Sequence, residues 1–503
     1  MFQLLPPERV TAVRARPIAA SETEVARSDA VIFVVDETRW ARSLAALPFA
    51  SVWTRLDKRR GSRPEEPWLV SRLPTNRQTL GVVGRCRAEI GAFERLTLAS
   101  RLVRQALQPG VSSLRVFVTG FPSAAAADLY EAIASAALAA TAPLPVLKAS
   151  HSPPPKLTRI ELAVAKFAGL DRCVAVADGN HLARWLTALP PNVLDCVSYR
   201  RALTQLARRE GWRARFYDET ALRRLGAGAF LAVCRANARR GAGIMRLTYR
   251  PARKRVPQIA LVGKGICFDT GGINLKPHKS MYLMHGDMQG SAVATGTLLA
   301  LSRLGAPLAI DCWLALTENE IGPTAYRPQE VVTALNGVTI QVVHSDAEGR
   351  MVLADTLALA SRAAPRLVLD FATLTGACVN ALTERYSGVF TNRDELQTAL
   401  RDAGRASGER VWPFPMDPDF DCELESRIAD VMQCTLDNKG DHILAARFLS
   451  RFVPTETPWV HVDLASSERK GGLAHVPTEF TGFGVRYATH LLDDPAFLAR
   501  LPG

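Results

Sequence analysis

Two lysines, one aspartate and four glycines share the stretch VGKGICFDTGGINLKP, residues Val262 to Pro277. Positive charge in a glycine-rich loop usually points to a phosphate cradle, so that chemistry comes first. A P-loop needs G-x-x-x-x-G-K-[ST], and Gly263, Lys264 and Gly265 do not supply that spacing. A dinucleotide loop needs G-x-G-x-x-G, but Gly226-Ala-Gly228 has Leu231 where the third glycine belongs. The H-E-x-x-H and G-x-S-x-G signatures are absent. Carboxylates remain. Asp269 follows the apolar run QIALVG by a short loop, and Asp287 sits in MHGDMQGS ahead of a helix of small residues. Asp346 and Glu348 lie in VVHSDAEGR, at the end of the run VTIQVV. Acids gathered in this way repel unless cations sit among them. Two divalent ions sharing such carboxylates can activate a water and clamp an oxyanion. Taken singly, each acid reads as a surface or capping residue. Together, at strand ends beside glycines, the metal reading overtakes that one.

These acids need a sheet to bring them together. QIALVG, LAIDCWLAL, VTIQVV and RLVLDF are short continuous apolar runs, as expected for strands buried on both faces. Helical stretches such as GSAVATGTLLALSRL and RMVLADTLALASRAA lie between them. In such a sheet, ligands bind beyond the carboxyl ends of the strands. Upstream, LARWLTAL reads as a helix stopped by Pro190 and Pro191, and Ser198 as the N-cap of YRRALTQLARRE. The N-terminal third alternates in the same way, with AVIFVV before RWARSLAALP and LRVFVTG before an Ala-rich helix. PLPVLKASHSPPP, near residues 143–155, is proline-rich and aperiodic, and is the best linker candidate. The expectation is an N-terminal α/β domain over residues 1–150 and a linker over 151–175. A larger α/β catalytic domain follows over 176–503, with a mixed, mostly parallel sheet.

At 503 residues, 48% of them hydrophobic, the chain is long enough for two domains and a large core. The N-terminus lacks a basic region followed by an apolar run, and no apolar segment approaches a membrane span. Nine cysteines are scattered without a C-x-x-C pair, which reads as free thiols in a reducing compartment. A cytoplasmic location is expected. The net charge of +13 is uneven. Residues 1–170 hold 23 Lys/Arg against 14 Asp/Glu, so most of the excess belongs to the first third. A solvated basic face is the simpler reading, and nucleic acid or an acidic surface the alternative.

GKGICFDTGGINLKP, DMQGSAVATG, SDAEGRMVLADTL, DFATLTGACV, LPPNVL and TGFGVR together resemble the leucyl aminopeptidase family of two-metal exopeptidases. The similarity covers roughly residues 176–490, while the first third shares only a general α/β character. The resemblance implies metal ligation by Lys264, Asp269, Asp287, Asp346 and Glu348, with Asp269 and Glu348 bridging both ions. Lys264 would bind as a neutral amine, which requires a strongly lowered pKa. Lys276 corresponds to the lysine that polarises the scissile carbonyl, and Arg350 to the arginine that holds a bicarbonate, the proposed general base. Met284, Thr373, Leu374, Gly376 and Ala465 match positions lining the substrate. Without the resemblance, Met284 reads as core and ATLTG as a tight strand-to-helix turn.

The implied activity is release of N-terminal residues from peptides by a metalloaminopeptidase. Zinc or manganese is the expected metal, with magnesium also admitted, and the implied assembly is a homohexamer. Three departures bear on specificity. His344 stands where the family usually has asparagine, RPQEVV replaces a proline-glycine-aspartate turn, and VDLASSERKGG replaces an alanine-glycine pocket wall. A polar wall carrying Glu468 suggests that basic or polar N-terminal residues are handled well relative to leucine; alternatively Glu468 faces solvent and pairs with Arg469 or Lys470. The rival class is a nucleic-acid-binding regulator using RLDKRRGSR in the basic first third. A catalytically silent scaffold is opposed by the intact ligand set.

Overall fold

The computed structural model describes residues 3–60, 66–150, 156–253 and 255–501. They form two compact units. The smaller comprises Pro7–Ala177 with Lys470–Glu479, and the larger Asp178–Arg469 and Phe480–Gly503 together with Met1–Pro6.

The smaller unit carries a six-stranded sheet in the order Ala12–Arg16, Arg159–Ala163, Ser113–Thr119, Ala30–Asp36, Leu80–Cys86, Trp68–Arg72. All neighbours are parallel except the last pair. In Ala30–Asp36, Ala30, Ile32 and Val34 join one apolar cluster while Val31, Phe33 and Val35 join another. This is the alternation of a strand buried on both faces. Residues 151–175, expected as a linker, contribute the strand Arg159–Ala163 to this sheet. The short run RIELA was overshadowed by the prolines before it; residues 151–155 lie outside the described residues.

The larger unit carries an eight-stranded mixed sheet. Its order is Val411–Pro413, Ser387–Thr391, Trp459–Asp463, Leu367–Ala372, Gln258–Asp269, Ala309–Asn319, Gly243–Tyr249, Arg213–Asp218. The four central strands, from Trp459–Asp463 to Ala309–Asn319, run parallel. Antiparallel pairs flank them. The helix Glu348–Ser361 is buried along its whole length. The helix Gln289–Arg303 is buried from Gln289 through Leu301.

Two local expectations are corrected. VTIQVV does not enter the large sheet: Thr339–Gln341 belongs to a separate three-stranded sheet with Val331–Thr333 and Val431–Met432. An apolar run reports burial, not which sheet provides it. The helix Cys196–Glu210 is capped by Asp195, which accepts the Ser198 N–H at 2.7 Å, while Ser198 Oγ accepts the Asp195 N–H at 2.9 Å. Ser198 is thus the inner half of a reciprocal capping box. Among the described residues, no helix is long and apolar enough to cross a membrane.

Candidate active site

The site forms where the parallel centre of the large sheet ends. Lys264 lies within the strand Gln258–Asp269, and Asp269 closes it. The neighbouring strand Ala309–Asn319 ends after a register shift between Thr317 and Asn319 that sets Asn319 beside Asp269. Asp287 comes from the turn Met284–Met288, and Glu348 opens the helix Glu348–Ser361. One oxygen each from Asp269, Asp346 and Glu348 lie within 4.8 Å of one another.

Both lysines penetrate this cluster. Lys264 Nζ donates to Asp287 Oδ1 and to the Thr373 carbonyl, each at 2.8 Å, and lies 3.0 Å from Glu348 Oε1. Lys276 Nζ lies 2.9 Å from Asp269 Oδ2 and 2.5 Å from Asp346 Oδ1. Its loop is folded back by Gly271, whose φ of 85° lies in the left-handed region and whose N–H donates to Asp269 Oδ1.

Four carboxylates face two ammonium groups, and the imbalance appears in their proton affinities. Burial pushes Glu348 up to about 8, with the charge of Asp269 adding to it. Burial likewise raises Asp287 to about 6. Burial pulls the Lys264 amine down, but Asp287, Glu348 and Asp269 outweigh it and leave that lysine raised. Lys264 as a neutral donor therefore needs a further cation to take over these carboxylates. The donor set suits a divalent cation on its own terms. Asp287 Oδ2 is buried without a hydrogen-bond partner, and the acids hold more negative charge than the lysines balance.

Asn319 had no sequence signal beyond its place at a strand end. Its Nδ2 donates to Asp269 Oδ1 at 2.8 Å, to the Ser345 carbonyl at 3.1 Å and to Glu348 Oε2 at 3.3 Å. A carboxamide here holds two acids in fixed orientation without adding charge.

The substrate-lining candidates occupy nearby segments. Thr373 joins the cluster directly, with Oγ1 donating to Asp287 Oδ1 at 2.7 Å. Leu374 follows it, its N–H donating to Asp463 Oδ1 at 3.1 Å. Gly376 is exposed, and a Cβ there would meet nothing within 4 Å. Met284 lies three residues before Asp287 on the same turn, and Ala465 is buried two residues beyond Asp463. Ser466 and Ser467 are buried, whereas Glu468 is half-buried. His344 accepts the Asp346 N–H on Nδ1 at 3.2 Å. Arg350 is buried; its Nη2 donates to both oxygens of Asp441 and its Nη1 to the Gln433 carbonyl.

Residues 181–489 match the cytosol aminopeptidase family, catalytic domain. A probable cytosol aminopeptidase of Rhodopseudomonas palustris (strain BisA53) is 39% identical over 339 residues, 66% of this chain and 67% of that protein. The bottromycin maturation enzyme BotP, solved in complex with Mn, is similar at TM-score 0.79 and 32% identity, over 93% of this chain and 99% of that one. The cytosol aminopeptidase of Coxiella burnetii matches at TM-score 0.80, over 96% of this chain and 98% of that one. At 24% identity it speaks for the fold alone. The family match spans well over half of the residues and contains every acid and lysine of the buried cluster, so the chain belongs to the cytosol aminopeptidase family and is a metal-dependent hydrolase of the leucyl aminopeptidase type.

Proposed function

We propose that this chain releases N-terminal residues from peptides with two divalent ions held by Lys264, Asp269, Asp287, Asp346 and Glu348. The observation that carries this reading is the meeting of three carboxylates within 4.8 Å beside the buried Lys264 and the half-buried Lys276. Ions there would supply water activation and charge stabilisation at the reacting carbonyl. Asp269 and Glu348, both steadied by Asn319, are suited to bridge a pair of ions. Lys276 is the charged donor available to the carbonyl oxygen, where negative charge develops. Met284, Thr373, Leu374, Gly376 and Ala465 would line the bound residue. Manganese and zinc are the metals to try first, and manganese accompanies the related BotP structure. Stripping with a chelator should abolish hydrolysis of aminoacyl amides, and adding manganese or zinc should restore it. A stripped preparation that keeps its turnover would refute the reading. The proposal includes a homohexameric assembly and a cytoplasmic location, and the assembly can be checked by mass in solution.

A second reading is nucleic-acid binding. Arg55, Lys58 and Arg59 are exposed on the helix Ala50–Arg60, while residues 61–63 of RLDKRRGSR lie outside the described residues. Duplex retardation should then weaken with salt at a log–log slope of about −0.9 per phosphate neutralised. No retardation at low salt dismisses it.

A further inference from the structure

Arg350 stands two residues beyond Glu348 in the first turn of the helix Glu348–Ser361, and its side chain is 2% exposed. A guanidinium is held at such depth only where acceptors meet it. Nη1 donates to the Gln433 carbonyl at 3.0 Å, and Nη2 donates to the two Asp441 oxygens at 2.8 and 2.9 Å. Nε is buried and has no partner. Asp441 is the first residue of the helix Asp441–Ser450 and follows Gly440 in the left-handed region. Asp441 lies in the first turn of that helix, where the helix dipole adds a second attraction for negative charge.

The family resemblance implies a dissolved bicarbonate on this arginine. That anion would compete there with a carboxylate the chain already supplies. Each Nη already has an acceptor, and an anion taking the N–H groups that remain, Nε–H among them, would lie beside the Asp441 carboxylate, with the charge of Glu348 also acting on the same guanidinium. An anion carried by the fold also loses no translational freedom on reaching its site, unlike a dissolved one.

We propose that Asp441 is the resident anion of Arg350, so that turnover does not depend on dissolved bicarbonate. The inference rests on the aminopeptidase reading above. Asp441 acts through Arg350 and is a positioning residue. It gives the guanidinium the negative charge and acceptor oxygens that a dissolved anion would otherwise bring.

The test uses zinc-loaded full-length enzyme, a leucyl amide substrate and CO2-purged buffer, with bicarbonate, formate or acetate titrated from zero. The wild type should keep its kcat/KM with and without bicarbonate. Asp441→Ala should lose about 10- to 100-fold without added anion, the usual range for an outer-shell partner, and regain most of it as one of these anions saturates. Asp441→Asn keeps the side-chain shape and serves if the alanine variant does not fold. Line broadening of ¹³C-bicarbonate gives a readout apart from turnover: the variant should bind the anion and the wild type should not. A wild type that binds bicarbonate and requires it overturns the proposal. So does a folded variant that neither binds nor responds to any of the three anions. Absence of turnover from every sample, with the expected binding pattern intact, counts against the aminopeptidase reading and leaves Asp441 in its assigned place.

Discussion

Gly349 makes room for Lys264. A Cβ on Gly349 would stand 2.6 Å from Lys264 Cε and 2.7 Å from its Nζ, inside any allowed contact. The amine reaches Asp287 and Glu348 only because the residue following Glu348 has no side chain. Gly349→Ala should therefore displace the lysine while the helix Glu348–Ser361 survives, since alanine favours helix. The expected result is a loss of activity of at least about tenfold, the range for an outer-shell disturbance, with near wild-type circular dichroism. Unchanged kcat/KM would show that the lysine does not need its observed position.

The smaller unit offers a pH-dependent stability test. Asp29 Oδ2 accepts from the backbone and hydroxyl groups of Ser112 and Ser113, between 2.7 and 3.1 Å. Burial works against this carboxylate, but those donors together with Arg77 bring it down to about 2. A lowered folded pKa means stability present above the unfolded value near 3.8 and lost as pH falls through about 2. Asp29→Asn should lower the melting temperature at pH 7, by about 2–4 °C for each kcal/mol lost. The gap from wild type should close between about pH 4 and 2. A gap independent of pH would mean that the charge of Asp29 contributes nothing.

How far the sequence was readable depends on which constraints are local. Acids beside glycines at the ends of apolar runs were visible, because charge crowding needs a cation wherever the chain brings it about. Asn319 was not, since a carboxamide at a strand end has no spacing signature and acquires its role from the register with Asp269. Asp441 was silent for the same reason: its partner Arg350 is 91 residues away in sequence. The central strands were legible as apolar runs, but the assignment of Thr339–Gln341 to its own small sheet rests on pairing with Val431–Met432. Lys470–Glu479 joins a unit otherwise built from the first third, and no composition change announces that return.

The polar segment after Asp463 yields a specificity prediction. Ser466 and Ser467 are buried and Glu468 is half-buried; on the proposal that this segment walls the side-chain subsite, it is more polar than alanine and glycine would be. A basic side chain bound beside Glu468 would gain the attraction of its charge in addition to that carboxylate's own contacts, whereas an apolar one would not. Glu468→Ala should shift the ratio of kcat/KM toward leucyl and away from arginyl amides. A ratio that stays put means Glu468 lies outside the subsite.

The most direct measurement for the two-metal account is metal content alongside turnover. Stripped and reloaded wild type should hold two manganese or zinc ions per chain by equilibrium dialysis. Glu348→Ala should hold at most one and lose on the order of 10³-fold in kcat/KM, because charge stabilisation by such ions is worth several kcal/mol. Full turnover by a rigorously metal-free preparation, or wild-type activity from Glu348→Ala, would contradict the account.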